Sequence, residues 1–320
     1  MVFRFAMAVA ILLLLPGCST LAYYSQSVSG HLQLMGRSQP IDRLLQDPAT
    51  EPALKQRLQQ VRAMRDFASR QLALPENGSY RSYASLEREA VVWSVVATQP
   101  FSLQPRQWCY LVIGCASYRG YFSHDRAEAY AGQLREAGLD VAVEAVPAYS
   151  TLGWFDDPLP STVIQWPLPR IATLVFHELA HQQLYVKDDS AFNEAFASLV
   201  AEVGTERWLA TRGPVALNDW RRSLSRERQF VAMLLEVRER LAALYRESMP
   251  EAEMAARKAQ LVKQLRSRYR TLQEEWSGYA GFDRWIERPL TNAHRASPSA
   301  SESWVPAFRP LLGDSGGVLW

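Results

Sequence analysis

The chain has 320 residues, a hydrophobic fraction of 48% and a formal net charge of +2 at pH 7. This length and apolar content support a large hydrophobic core and exclude a wholly disordered chain. The small net charge excludes the broad basic surface that nucleic-acid binding requires, so we expect no nucleic-acid partner. Activity and partners therefore have to be inferred from local groups of residues.

The N-terminal residues have the pattern of an export signal. Arg4 supplies a positive charge, and residues 5–15 form an apolar run that is too short to span a bilayer but fits the apolar region of a signal peptide. Gly17 and Cys18 follow this run and resemble a bacterial lipobox, in which a small residue precedes a cysteine that is acylated. The alternative is an ordinary secretory signal followed by a buried cysteine.

The lipobox interpretation predicts how the mature chain begins. We expect a signal peptide over residues 1–17, acylation of Cys18 and a lipid-anchored lead-out over residues 18–40. More than one acyl chain gives stable binding to a membrane. Because Ser19 rather than aspartate follows the cysteine, the similarity to lipoproteins implies a location in the bacterial cell envelope, at the outer membrane and facing the periplasm.

The next part of the chain predicts a helical segment and a small mixed sheet. Residues 42–74 place apolar side chains at three- and four-residue steps, as a helix does, with interruptions at Pro48 and Pro52. Later segments rich in valine, isoleucine and tryptophan predict strands, and an amphipathic segment between them predicts a helix. In order, these are strands at 90–97 and 108–114, the helix at 124–137 and a strand at 139–146.

Two cysteines lie in one short apolar stretch of this region. Once Cys18 is assigned to the anchor, Cys109 and Cys115 remain as an even pair in an exported protein, which predicts a disulfide. A turn between them would bring the two sulfurs together. The alternative is a pair of buried free thiols, and the spacing does not match a zinc knuckle.

The second half of the chain is predicted to be helical after one loop. Residues 147–160 contain glycine, tryptophan and two aspartates, and we interpret them as a loop over a site. Residues 167–186 are apolar on nearly every face, as a buried helix is, and residues 190–210 form a second helix. Residues 218–278 predict a long charged helical hairpin broken at Pro250. The expected fold class is α+β, mostly α-helical, with a small mixed sheet.

The buried helix carries His177, Glu178 and His181 in the spacing His-Glu-x-x-His. Histidines four residues apart share one face of a helix, about 6 Å apart, so both rings can bind one Zn²⁺. Glu178 would lie beside the metal and accept a proton from the water that the metal activates. The alternative is a pair of core histidines, but these polar groups on an apolar helix cost several kcal/mol of desolvation unless a metal compensates.

A zinc site of this type needs a third protein ligand and an open fourth position. Glu194 lies on the next predicted helix, and a turn between the two helices lets them pack antiparallel and aim this carboxylate at the metal. Glu202, near the same face two turns later, is the second candidate. Glu202 and Glu206 are otherwise interpreted as supporting or solvated acids.

These motifs resemble those of gluzincin peptidases. Residues 177–181 and 193–197 match the His-Glu-x-x-His and Asn-Glu-x-Phe-Ala motifs of the aminopeptidase N group, in which the second glutamate is the third metal ligand. The gap between the motifs is shorter here, and the Gly-x-Met-x-Asn exopeptidase motif is missing. The chain is more similar to a family of bacterial lipoproteins described as predicted aminopeptidases, and that resemblance includes residues 118–122, 151–153 and 290–293.

This resemblance implies a zincin-like metallopeptidase domain over residues 41–320 that hydrolyses a peptide substrate with Zn²⁺ as cofactor. His177, His181 and Glu194 would bind the metal, and Glu178 would be the catalytic acid and base. The expected activity is that of an aminopeptidase, which removes N-terminal residues. Two alternatives remain open: a zinc endopeptidase with the same site, and a catalytically idle lipoprotein that serves as a binding or chaperone module of the envelope.

Three further roles have several candidates each. The candidates for stabilising the oxyanion are the tyrosines Tyr149, Tyr185 and Tyr279. The candidates for lining the cleft are Tyr118, Arg119 and Tyr121. The candidates for binding the α-ammonium group of the substrate are the acids Glu144, Asp156 and Asp157. All of these have a structural alternative in packing or turn formation, and the isolated His124 and His294 are predicted to be structural.

Overall fold

The computed structural model describes residues 22–110, 114–187 and 189–296. For residues 295 and 296 only the backbone is described. The predicted signal peptide, Cys18 and the tail from residue 297 onward lie outside the described residues. The helices are α1 (22–36), α2 (Ile41–Gln46), α3 (Pro52–Leu72), α4 (His124–Glu136), α5 (Ser161–Ile164), α6 (Leu168–Gln183), α7 (Ser190–Ala210), α8 (Pro214–Leu244), α9 (Glu251–Glu275), α10 (Asp283–Glu287) and α11 (Asn292–Ala296). The strands are β1 (Ser38–Pro40), β2 (Ser82–Ala84), β3 (Val92–Thr98), β4 (Trp108–Tyr110), β5 (Gly114–Ala116), β6 (Arg119–Tyr121), β7 (Asp140–Val146) and β8 (Leu159–Pro160). The chain is thus mostly helical with small sheets, an α+β fold.

Within the described residues, the strands form three separate small sheets. In the largest, the fully buried β3 is central and antiparallel to both β6 and β7, with α4 and α11 packed against β3 and β7. In the second, β2 pairs antiparallel with β1 and parallel with β8. The third corrects the single strand predicted over 108–114: β4 and β5 pair antiparallel, with Cys109 directly opposite Cys115, and the two cysteines are joined by a disulfide.

The largest apolar core surrounds α6. Among the described elements, α6 packs most extensively against α7, and α3 covers another side of this pair. Gly204 of α7 permits the close approach, because a Cβ there would lie 2.7 Å from Leu72 Cδ1 of α3 and 3.0 Å from Phe176 Cδ2 of α6. Since Phe176 is fully buried, its ring has little space to move away from a larger residue at 204.

The long helical hairpin has an apolar core of its own. Its two helices are α8 and α9, so it begins at Pro214, four residues before the predicted start, and its helical part ends at Glu275. Phe230 and Leu241 of α8 and Leu265 and Tyr269 of α9 belong to this core. Phe282 stacks on Phe230 with ring centroids 4.2 Å apart, so the segment after α9 closes the end of the hairpin.

Residues 22–40, predicted as the lead-out from the anchor, form α1 and β1 and pack against the body. Leu34 of α1 is buried with Val91 and Val92 of the sheet region. Gln26 donates a hydrogen bond to the carbonyl of Gly120 and accepts one from the backbone N–H of Phe122. In the part of the chain that the structure describes, none of the helices combines the length and the apolar character needed to cross a bilayer.

Candidate metal centre

The connection between α6 and α7 sets the positions of the predicted metal ligands. The α6 helix starts with Pro169 in its first turn and ends at Gln183, three residues before the predicted end, so residues 184–186 are not helical. The buried Asn193 side chain accepts from the backbone N–H of Val186 and donates to its carbonyl, both at 2.7 Å. Asp189 caps α7 by accepting from the backbone N–H of Phe192. These bonds fold α7 back beside α6.

This arrangement brings together His177, His181 and Glu194. The two Nε2 atoms are 3.0 Å apart, Nε2 of His177 lies 3.4 Å from Glu194 Oε2, and Nε2 of His181 lies 3.6 Å from Glu194 Oε1. One ligand atom from each residue can be chosen so that all lie within 4.8 Å of one another. The sequence predicts that these three residues bind one metal ion, and the structure is compatible with that prediction.

The three side chains fit a small divalent cation. Ligands that bind Zn²⁺ tetrahedrally at about 2.0–2.1 Å are separated from each other by roughly 3.3 Å, close to the separations seen here. The His181 side chain is 5% exposed, whereas 42% of the Glu194 side chain is exposed, so the cluster opens to solvent on one side. Nδ1 of His181 is buried and has no hydrogen-bond partner among the described residues.

The charges of the cluster also favour a cation. Burial is the main reason that the pKa of His181 falls to about 4, and the neighbouring His177 contributes to the decrease. The hydrogen bond from His177 holds the pKa of Glu194 below its usual range. Burial opposes protonation of His177, but the carboxylates of Glu194 and Glu178 outweigh burial and raise its pKa. A neutral imidazole and an ionised carboxylate are the protonation states in which these groups bind metals.

Glu178 lies next to the cluster on α6 and is partly buried. Burial raises the pKa of this carboxyl group, and the charge of His177 and a hydrogen bond with Ser150 partly oppose the increase. The neighbouring Tyr80 is 1% exposed, and its pKa is raised by burial and by the charge of Glu178. A carboxyl group with a raised pKa can both accept and donate a proton near neutral pH.

The loop predicted over 147–160 does border the site, but its acids have structural roles. Asp157 is buried, and its Oδ2 accepts from the backbone N–H and the hydroxyl of Thr151 at 2.8 and 3.0 Å. Asp156 Oδ1 accepts from the backbone N–H of Gly78. Glu144 pairs with Arg288 at 3.3 Å. Each of these three candidates for binding an α-ammonium group thus has at least one partner within the protein, and its role towards the substrate stays a prediction.

The tyrosine candidates separate into those at the site and those away from it. The Tyr185 ring lies 6.3 Å from the His181 ring. Burial raises the pKa of Tyr118, and the nearby Tyr23 and Glu194 add to the increase. The Tyr149 ring packs near Phe122 and His31 instead. Tyr279 belongs to the hairpin, where its ring contacts those of Trp276 and Phe282.

Two of the residues predicted to line the cleft are instead part of an aromatic cluster in the sheet region. The Arg119 guanidinium lies 4.1 Å from the ring centroid of Tyr23 and 4.8 Å from that of Tyr130. Tyr121 is buried and packs against both of these tyrosines. Cation–π packing thus holds α1 against β6 and α4, and of the three candidates only Tyr118 lies near the metal cluster.

The remaining charged candidates have structural partners. The buried Glu202 forms an ion pair with Arg228 of α8, and Glu206 forms one with Arg221. The second candidate for the third metal ligand is therefore used to join α7 to α8. His124 lies 3.9 Å from Glu128, and His294 bonds the Thr291 hydroxyl at 2.7 Å, so both have partners other than the three clustered residues.

One buried network beside the site was not found from the sequence. Arg65 of α3 is fully buried and donates to the carbonyl groups of Pro75, Asn77 and Ser79. Asn77 then donates to Gln182, the residue after His181, at 2.7 Å. The available signal was an arginine among the apolar positions of a predicted helix, which indicates a buried cation with a structural role.

Two antiparallel helices hold two histidines and a carboxylate together, with a partly buried glutamate beside them. This arrangement defines a candidate metal-binding site. The family model described as "Putative aminopeptidase" matches residues 22–319. The chain therefore belongs to this family, whose name suggests a peptidase and hence a peptide substrate. Comparison with curated proteins and with solved structures found no match.

Proposed function

We propose that this protein is a zinc-dependent peptidase of the gluzincin type with a zincin-like domain, and that it acts as an aminopeptidase. The observation that carries the proposal is the convergence of His177, His181 and Glu194 at separations that suit one metal ion, directly beside Glu178. Membership of the family supports the peptidase activity. No local structural role accounts for this combination of groups on an otherwise apolar helix.

The three clustered residues would hold the zinc ion. A bound Zn²⁺ supplies Lewis-acid chemistry, which polarises a carbonyl group and acidifies water. The exposed side of Glu194 leaves room for the substrate to approach from solvent. His181, buried and unable to move far, fixes the inner side of the site.

Glu178 carries the proton in this mechanism. It accepts a proton from the attacking water, whose oxygen forms a bond to the carbonyl carbon of the peptide. The C–N bond then breaks, and Glu178 returns the proton to the leaving amine. The Tyr185 hydroxyl, on a ring 6.3 Å from that of His181, is the proposed donor of a hydrogen bond to the oxygen that becomes negative.

The proposed location follows from the N-terminal pattern. Cleavage after Gly17 and acylation of Cys18 would anchor the chain to the outer membrane, facing the periplasm. The packed helix α1 begins only a few residues later, so the anchor would hold the domain close to the membrane surface.

A peptide-library digest tests the activity directly. Purified protein is incubated with free and N-acetylated peptides, with and without a chelator, and the products are read by mass spectrometry. We expect stepwise loss of N-terminal residues from free peptides only, abolished by the chelator and restored by zinc. Equal cleavage of acetylated peptides in mid-chain would identify an endopeptidase, and intact peptides in the presence of zinc would support a binding module instead.

A further inference from the structure

Exposed apolar side chains are concentrated around the candidate metal centre. Among the described residues, twelve large hydrophobic side chains are exposed, and eight of them lie in three short segments. Four belong to residues 149–155, three are the consecutive residues 184–186, and the last is Tyr118. We call these eight residues the apolar rim. Exposed apolar groups that cluster in this way mark a binding surface, whereas scattered ones do not.

Two of the three segments of the apolar rim border the helix that carries both histidines. Residues 184–186 directly follow α6, and the Tyr185 ring lies 6.3 Å from that of His181. Residues 149–155 rest on the end of α6, since a Cβ on Gly153 would lie 3.2 Å from Gln182 Cγ.

The exposure of this loop is built into its backbone. Trp154 is 86% exposed. Its backbone N–H nevertheless donates to the Thr151 carbonyl, and the backbone N–H of Phe155 donates to the Thr151 hydroxyl. Leu152 has a φ of 54°, a left-handed conformation that is unfavourable for a bulky residue. A fixed loop that accepts strain and exposes apolar groups next to a reactive site is typical of functional surfaces.

We propose that the apolar rim binds apolar side chains of the peptide substrate next to the bond that is cleaved, so that the enzyme prefers residues such as leucine and phenylalanine there. This inference rests on the proposed function and specifies its substrate class. Continuity of the rim with the metal cluster supports it, because a side chain adjacent to the scissile bond must lie within a few ångströms of that cluster.

The charges around the rim favour a peptide over a membrane as the occupant. Surfaces that bind anionic lipid combine aromatic residues with lysine and arginine. Residues 149–157 contain no cation and two aspartates, and residues 184–189 contain one lysine and two aspartates. These two segments thus carry a single cation, Lys187, which is too little positive charge to hold an anionic bilayer, whereas the uncharged side chain of a peptide requires none.

Two rim variants and one matched control test the proposal. In the chain from Ser19 to Trp320, Trp154→Ser and Val186→Ser remove exposed rim side chains, and Val215→Ser removes an equally apolar side chain that is 73% exposed outside the rim. The measured quantity is the ratio of kcat/KM for peptides with leucine or phenylalanine at the cleaved bond to kcat/KM for matched serine peptides. We expect a ratio of about ten or more, reduced about tenfold in the rim variants and unchanged in the control.

Binding measurements keep this test separate from the test of catalysis. The affinity of the same peptides is measured in the Glu178→Gln background, with and without the rim substitutions. If wild-type protein hydrolyses peptides but the rim variants keep its selectivity, the rim proposal is wrong and the proposed function stands. If no peptide is hydrolysed with zinc, the proposed function fails. The rim proposal is then tested only by whether the rim substitutions weaken the binding of leucine and phenylalanine peptides. Loss of binding to phosphatidylcholine or phosphatidylglycerol vesicles in Trp154→Ser, with peptide selectivity unchanged, would identify a membrane surface and overturn the proposal.

Discussion

Arg65 is expected to be a main stabilising residue of the metal-site region. Its Nε donates to the Ser79 carbonyl at 2.8 Å, and its Nη2 donates to the Pro75 carbonyl at 2.7 Å and to the Asn77 carbonyl at 3.2 Å. Asn77 in turn bonds Gln182 at the end of α6. Arg65 thus connects α3, through one turn, to the helix that carries both histidines.

The magnitude for Arg65→Met follows from these bonds. Methionine keeps an apolar stem but donates no hydrogen bonds, so the Ser79 carbonyl loses its donor, whereas the Pro75 carbonyl keeps the Ser69 hydroxyl and the Asn77 carbonyl keeps Arg81. A buried acceptor left unpaired costs about 1–3 kcal/mol. Burial, followed by the nearby Arg81, lowers the pKa of Arg65, so removal of the charge recovers part of this cost. We expect a loss of about 1–3 kcal/mol in the free energy of unfolding.

Arg62→Met on the same helix is the matched control. The Arg62 side chain is 47% exposed and pairs with Asp42 at 2.7 Å on the surface, so its loss should cost under about 1 kcal/mol. Both variants are compared with wild type by urea unfolding at 25 °C, monitored by circular dichroism. The free energies of unfolding are compared only if the three proteins have equal m-values. If Arg65→Met is no less stable than Arg62→Met, the buried bonds do not contribute as argued.

Three further variants test individual roles. Glu178→Gln should retain metal but lower kcat by about 10²–10⁴; a variant with near wild-type turnover would mean that another group carries the proton. Tyr185→Phe should lower kcat by up to about 10²–10³ with metal content unchanged. An unaltered kcat would mean that Tyr185 does not donate the hydrogen bond, and Tyr118 would be tested next. Cys18→Ser should release the protein from the membrane fraction, and continued sedimentation with membranes would exclude the lipobox interpretation.

The sequence predicted the helices of the site well because they are long and regular. The segment predicted over 190–210 coincides with α7, and α6 differs from its prediction only by one residue at the start and three at the end. The early end of α6 depends on Asn193, whose side chain bonds the Val186 backbone from the next helix. Such a tertiary contact leaves no trace in the local hydrophobic pattern.

The smaller elements and most auxiliary residues could not be predicted for the same reason. Strands β1, β2 and β8 have only two or three residues each, which is too few to produce a period. Arg119 was predicted to line the cleft, but the Tyr23 ring, far away in the sequence, packs against its guanidinium. Asp157 was a candidate for substrate binding, but its burial against Thr151 emerges only when the loop is folded.

The central claim is that His177, His181 and Glu194 bind one metal ion. The most direct measurement is elemental analysis of purified wild-type protein and of Glu194→Gln, after zinc loading and removal of free metal. We expect about one zinc per chain in the wild type and a clear loss in the variant, since the carboxylate supplies both short contacts to the histidines. Wild-type protein without stoichiometric metal, or a variant that binds zinc as tightly as wild type, would contradict the account.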